Sequence, residues 1–139
     1  MKLTKEKRQA VRDKFNGKCA YTGKDLGDDW QVDHVNSQYQ HSYRYSGEED
    51  YIEYMKKVHD INNLFPTLRI VNHYKRTKNL EQFRRYMTDF HKRLAKLPKT
   101  TRVPATERRI AYMNNIADAF DITVDKPFSG LFYFERVGK

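Results

Sequence analysis

The sequence has one cysteine, four prolines, six glycines and no uninterrupted apolar run of membrane-spanning length. Each shortage excludes something. A lone thiol, Cys19, cannot form a disulfide within the chain, and a zinc centre would have to draw most of its ligands from other residue types. The opening MKLTKEKRQAV lacks the apolar stretch of a secretory signal, so the sequence reads as cytoplasmic, with no membrane association. No internal repeat or low-complexity tract divides the chain, which reads as a single domain over residues 1–139.

What is present is aromatic and basic. Eight Phe, ten Tyr and one Trp supply a core even though 32% of the residues are charged. The net charge of +9, from 27 basic and 18 acidic residues, favours a polyanionic partner through phosphate attraction and counterion release. Ribosomal proteins, basic adaptors and nucleases share that sign, so charge does not choose among them.

Local patterns give an α+β reading. Residues 4–15 form a helix capped by Thr4 and stopped by Asn16-Gly17. In WQVDHV the alternation puts Trp30, Val32 and His34 on one face of a strand, with Gln31, Asp33 and Val35 on the other. A loop follows, then a helix over EEDYIEYMKKV with Ser46 and Glu49 as a capping box; Glu48, Asp50 and Glu53 then decorate its N-terminal part. LFPTLRI, with Pro66, suits an edge strand. The chain turns helical from about Val71, and Leu80, Phe83, Met87, Phe90 and Leu94 mark one helix ending at Leu97-Pro98. Thr106 caps a helix to Phe120, and LFYFE alternates as a C-terminal strand.

Four polar features on this scaffold fit metal-assisted phosphodiester cleavage, which needs an oxygen-rich cation site, a base near neutral pKa and positive charge at the phosphate. They are Asp33-His34, Asn63, Asn72 and Lys75. Asp33 and His34 either serve one reaction, with Asp33 holding a divalent ion and His34 reaching the attacking water, or His34 is merely a paired or exposed residue. Asn72 either adds an oxygen ligand or caps a helix. Lys75 either meets a phosphate or belongs, with Arg76 and Lys78, to a solvated helix face. Asn63 either accepts a proton from one ring nitrogen of His34 or is a turn residue. His41, His59 and His91 read as structural or surface residues. A non-catalytic basic nucleic-acid-binding module accounts for the same residues.

Three stretches in order, CAYTGK…QVDHV, NLFPTLRIVNHYKR and NLEQFRRYM, resemble the phage and bacterial HNH endonucleases of the ββα-metal (His-Me finger) fold, and LFYFE resembles the tail of a phage-associated branch. The resemblance implies a core of a short β-hairpin and helix over about 18–91, an insertion over about 36–60, peripheral helices and the C-terminal strand. It implies cleavage of double-stranded DNA to 5′-phosphate and 3′-hydroxyl ends, by nicking or double-strand cutting. Asp33 and Asn72 become ligands of one Mg²⁺ or Mn²⁺ ion, His34 the general base, Asn63 its orienting partner and Lys75 a residue near phosphate. His73, Arg76, Lys78, Arg84 and Arg85 become DNA contacts. Arg76 stands where some relatives have a histidine ligand, but a guanidinium has no lone pair to offer a metal. Implied partners are a second copy of the chain or phage packaging machinery, in a bacterial host or infected cell, and a packaging accessory is a further role.

Many members of that family pin the hairpin with zinc on two CxxC pairs. Here the corresponding positions read Cys19-x-x-Thr22 and Leu68-x-x-Val71. With three of four thiolates replaced, two by apolar residues, no structural zinc is expected and the region reads as packing around Cys19.

Overall fold

Thr4 starts the first helix, α1 (Lys5–Asp13), by accepting the Lys7 N–H on Oγ1 at 3.1 Å. Asn16 and Gly17, both at positive φ, stop it. Val11 on its inner side is fully buried with Trp30 and Leu64. Three basic residues of this region turn inward. The Arg8 guanidinium lies 3.9 Å from the Trp30 ring centroid and donates to the Trp30 carbonyl at 2.7 Å. Lys14 Nζ donates to the carbonyls of Ile61 and Leu64, both at 2.8 Å, and Lys7 Nζ to that of His59 at 2.7 Å. Helix α1 therefore clamps the segments leading into both strands. The computed structural model describes residues 3–36, 52–53, 56–57 and 59–138.

Strands β1 (Gln31–His34) and β2 (Leu64–Thr67) pair antiparallel, with Gln31 opposite Thr67, Val32 opposite Pro66, Asp33 opposite Phe65 and His34 opposite Leu64. They are the only sheet strands among the described residues. Pro66 has no N–H to give, and its carbonyl accepts the Ala20 N–H at 2.9 Å. The strand expected over LFPTLRI ends at Thr67, and α2 (Arg69–Lys75) begins two residues earlier than Val71, without a side-chain cap from Leu68. Asn72 consequently sits in the middle of α2 rather than at its start.

The apolar stripe from Leu80 to Leu94 lies on two helices instead of one, α3 (Leu80–Thr88) and α4 (Phe90–Ala95). Asn79 and Gln82 cap α3 reciprocally at 2.9 Å. Thr88 and Asp89, weak helix formers, interrupt the run, with the Thr88 hydroxyl donating back to the Arg84 carbonyl at 2.9 Å. The bend still buries Phe83, Met87 and Phe90 completely in one core. Helix α5 (Pro104–Phe120) starts with Pro104 in its first turn, not at a Thr106 cap, because proline's fixed φ suits that position.

The tail departs most from expectation. LFYFE is not a strand: Tyr133–Arg136 form a short helix, α6. The Glu135 carboxylate accepts the Phe132 N–H at 2.9 Å, while the Tyr133 and Phe134 N–H groups bond the carbonyls of Tyr21 and Ala20 at 3.0 and 2.8 Å. Phe132 stacks on Phe83 with centroids 5.4 Å apart. The fold is thus mixed α+β, with α2 laid on β1, α5 against α2, and an aromatic core beneath the tail. No described helix is long and apolar enough to cross a membrane. The helix expected over 48–58, its Ser46 cap and His41 fall largely or wholly outside the described residues.

Candidate functional site

Successive residues of β1 send their side chains to opposite sides, and the two sides have different chemistry. Asp33 is buried, with 4% of its surface exposed, on the side covered by α2. The Tyr21 hydroxyl donates to Asp33 Oδ2. Lys75 Nζ donates to Oδ1 at 3.3 Å and lies 3.2 Å from Oδ2. Lys75 itself is 0% exposed and also donates to the His34 carbonyl at 3.4 Å. Expected as a mobile charge at a phosphate, it is instead half of an interior ion pair. Burial pushes the Asp33 carboxyl up and the Lys75 ammonium down, each opposed by the charge of the other. The Tyr21 hydroxyl is held well above its ordinary range by burial and by the adjacent carboxylate.

His34, on the other side with Val32, is half-buried. Its Nε2 lies 3.1 Å from Nδ1 of His59, with the rings edge to face at 5.0 Å. Burial first, then the nearby His59 and Lys75, lowers its pKa from 6.5 to about 4, so the ring is neutral at physiological pH. His59 is lowered too, mainly by burial. Asn63, expected to orient His34, instead clasps the backbone of Asn36: Oδ1 accepts the Asn36 N–H at 2.9 Å and Nδ2 donates to its carbonyl at 3.3 Å.

Asn72 meets β1 one step before Asp33. Its Nδ2 donates to Gln31 Oε1 at 2.7 Å, so α2 covers one face of β1 with two matched pairs, Asn72 on Gln31 and Lys75 on Asp33. Asn72, His73 and Arg76 line a cleft of about 620 Å³ with Gln31, Arg69 and Tyr112. Asn63 and Asn36 line a separate cleft of about 610 Å³. Asp33, His34 and Lys75 line neither. The five residues singled out from the sequence are therefore neighbours along one short unit, and neither of these two clefts among the described residues brings them all together.

The proposed DNA contacts divide as well. His73 is exposed and its Nδ1 meets the Tyr112 hydroxyl at 2.7 Å. Arg76 is exposed at the end of α2, with φ 55° and ψ −128°, a backbone region that strains any residue other than glycine. Lys78 lies over the Tyr86 ring at 4.3 Å, and Arg85 is exposed. Arg84 works inside the protein instead. Its guanidinium bridges Glu135, at 2.6 and 2.8 Å, with Glu81 and the Gly130 carbonyl, and its side chain is only 20% exposed. Helix α3 is thereby tied to α6.

Cys19 and Val71 are fully buried in the same core, with Leu68 packed against it. Among the described residues no three His, Cys, Asp or Glu side chains cluster as a metal-holding group. Asp33 and Asn72 offer a carboxylate and an amide oxygen, donors of the type that hard cations take. Of the interacting residues, Gln31 was within reach of sequence reasoning, since period two puts it beside Asp33. Tyr21 and His59 carried no local signal, because their partners lie 12 and 25 residues away. Comparison with family models, curated proteins and solved structures finds no match.

Proposed function

We propose that the chain is a metal-dependent DNA endonuclease of the ββα-metal type. The observation that carries this reading is the β1–β2–α2 unit. Asp33 and His34 end the first strand, Asn63 directly precedes the second, and Asn72 and Lys75 ride on the helix laid against β1. The order and spacing DH, N, N and K thus fall on a strand, a strand entry and a helix. Asp33 and Asn72 would hold one Mg²⁺ or Mn²⁺ ion, and their oxygen donors suit it; the Lys75 ammonium is the cation now beside the carboxylate. When bound, the metal supplies charge neutralisation at the phosphate and at the departing 3′ oxygen.

His34, neutral at physiological pH, would take a proton from water on a ring nitrogen as the water oxygen bonds to phosphorus and the P–O3′ bond breaks, leaving a 5′-phosphate and, once the departing oxygen takes a proton from solvent, a 3′-hydroxyl. His73, Arg76, Lys78 and Arg85 supply positive charge for the duplex backbone, with a second copy of the chain or packaging machinery as further partners. A second reading has its own support. Asp33 is closed off by Tyr21 and Lys75, which favours a non-catalytic nucleic-acid-binding module.

Incubation with supercoiled plasmid separates the two. Wild-type protein with Mg²⁺ is expected to nick or linearise the DNA, EDTA to stop it, and His34→Ala to bind DNA without cutting. Plasmid left intact by wild-type protein across Mg²⁺ and Mn²⁺ titrations would sink the nuclease reading.

A further inference from the structure

His34 has two ring nitrogens, and one of them is already engaged. Its Nε2 faces Nδ1 of His59 at 3.1 Å, leaving Nδ1 as the ring nitrogen that can accept a proton from water. A neutral imidazole carries one N–H, so one ring of the pair must donate to the other. If His34 donates from Nε2, its Nδ1 keeps a lone pair and can act as a base. If His59 donates, His34 carries its proton on Nδ1 and has no lone pair to offer.

The backbone at His59 is tied down, while the ring's Nε2 is buried without a hydrogen-bond partner among the described residues, so the contact with His34 is the ring's one polar bond among them. The residue is 7% exposed, and its carbonyl accepts the Lys7 ammonium of α1 at 2.7 Å. Asp60 follows, and its carboxylate and carbonyl accept the N–H groups of Asn62 and Asn63 at 2.9 and 2.8 Å. That short turn leads into Leu64, the residue paired with His34 across the sheet. The backbone that brings the second strand to the first thus also returns the His59 ring onto His34. Asn63, the residue expected to orient His34, is engaged with the Asn36 backbone instead.

We propose that His59 is the positioning residue of the base, accepting the His34 Nε2–H on its own Nδ1 so that His34 presents Nδ1 to the water. This rests on the nuclease reading for its consequence, but not for its measurement. His59→Phe keeps a ring and removes the acceptor. His59→Asn puts a carboxamide oxygen in the place of Nδ1, while His59→Gln sets it one carbon further out.

Long-range ¹H–¹⁵N spectra of the ¹⁵N-labelled full chain at neutral pH report the tautomer of His34. Wild type is expected to show the Nε2–H form and a ¹⁵N–¹⁵N scalar coupling between His34 Nε2 and His59 Nδ1, which needs no variant. His59→Phe is expected to give a tautomer mixture and to lower kcat about tenfold with KM little changed. His59→Asn restores both readouts and His59→Gln does not. A wild-type Nδ1–H tautomer, an absent coupling, or an unchanged tautomer in His59→Phe overturns the proposal whatever the cleavage result. Intact plasmid together with the expected tautomer and coupling overturns the nuclease reading alone and supports the positioning role.

Discussion

The two sides of β1 differ more than the adjacency of Asp33 and His34 implies. On the α2 side a carboxylate, an ammonium and a phenol satisfy one another out of water. On the α1 side two imidazoles meet in a half-open place, both shifted toward neutrality. The first is an interior charge pair whose members depend on each other. The second is a pair of weak bases joined by one hydrogen bond. Neighbours in sequence therefore stand in different dielectric surroundings, and a reaction using both would have to open the Asp33 side while leaving the His34 side in place.

The largest expected effect comes from breaking the closed side. Lys75→Met leaves a buried carboxylate without its counter-ion and is expected to cost about 3–5 kcal/mol in urea unfolding. Adding Asp33→Leu removes the orphaned charge, and most of the loss is expected to return. A single variant as stable as wild type would mean that Asp33 is neutral in the fold.

A smaller effect belongs to the open side. The unfolded chain's His34 titrates near 6.5 and the folded one at about 4, so between those values the unfolded state binds a proton that the folded state does not. Stability contributed by His34 is present above 6.5 and falls as the pH drops through that window. Asp33, raised by burial, pulls the opposite way in the acid range. The test is accordingly a difference: urea midpoints of His34→Gln are expected to fall less between pH 7 and pH 4.5 than those of wild type. Parallel profiles would mean that His34 is not held neutral by its surroundings.

The smallest change sharpens the boundary of the helix that closes the Asp33 side. Arg76→Gly relieves the strained backbone at the end of α2 and, after the entropy glycine adds to the unfolded chain, is expected to stabilise by about 1 kcal/mol. The same variant is expected to weaken duplex binding in a salt titration. Stability unchanged and binding unchanged would leave Arg76 without either role.

How much of this was legible depended on range. Alternation in WQVDHV separated Asp33 from His34, and Pro66 marked an edge, because both signals are local. The burial of Asp33 was not readable there: a two-residue period says that the sides differ, not which one a later helix will cover. The stripe from Leu80 to Leu94 keeps its spacing across Asp89, so apolar periodicity hid a break made by backbone geometry. LFYFE looks like a strand because alternate rings suit a sheet, yet its N–H groups pair with a turn instead of a strand. The order DH, N, N and K was visible; the partners Tyr21 and His59 were not, since nothing near them in the chain names Asp33 or His34.

The bonds from Tyr133 and Phe134 back to Tyr21 and Ala20 set an order in time. Domains form as chains emerge from the N-terminus, and the hairpin and its covering helix are made long before residues 132–134. Until those last residues arrive, the turn that carries Tyr21 keeps its bond from the Ala20 N–H to the Pro66 carbonyl but lacks two further backbone bonds and the ring of Phe132, which meets Tyr21 edge to face at 5.2 Å. A ribosome paused within α5 would hold a chain whose strands and Asp33–Lys75 pair are already made, and synthesis of the tail then adds the contacts of residues 132–134 on the Tyr21 turn.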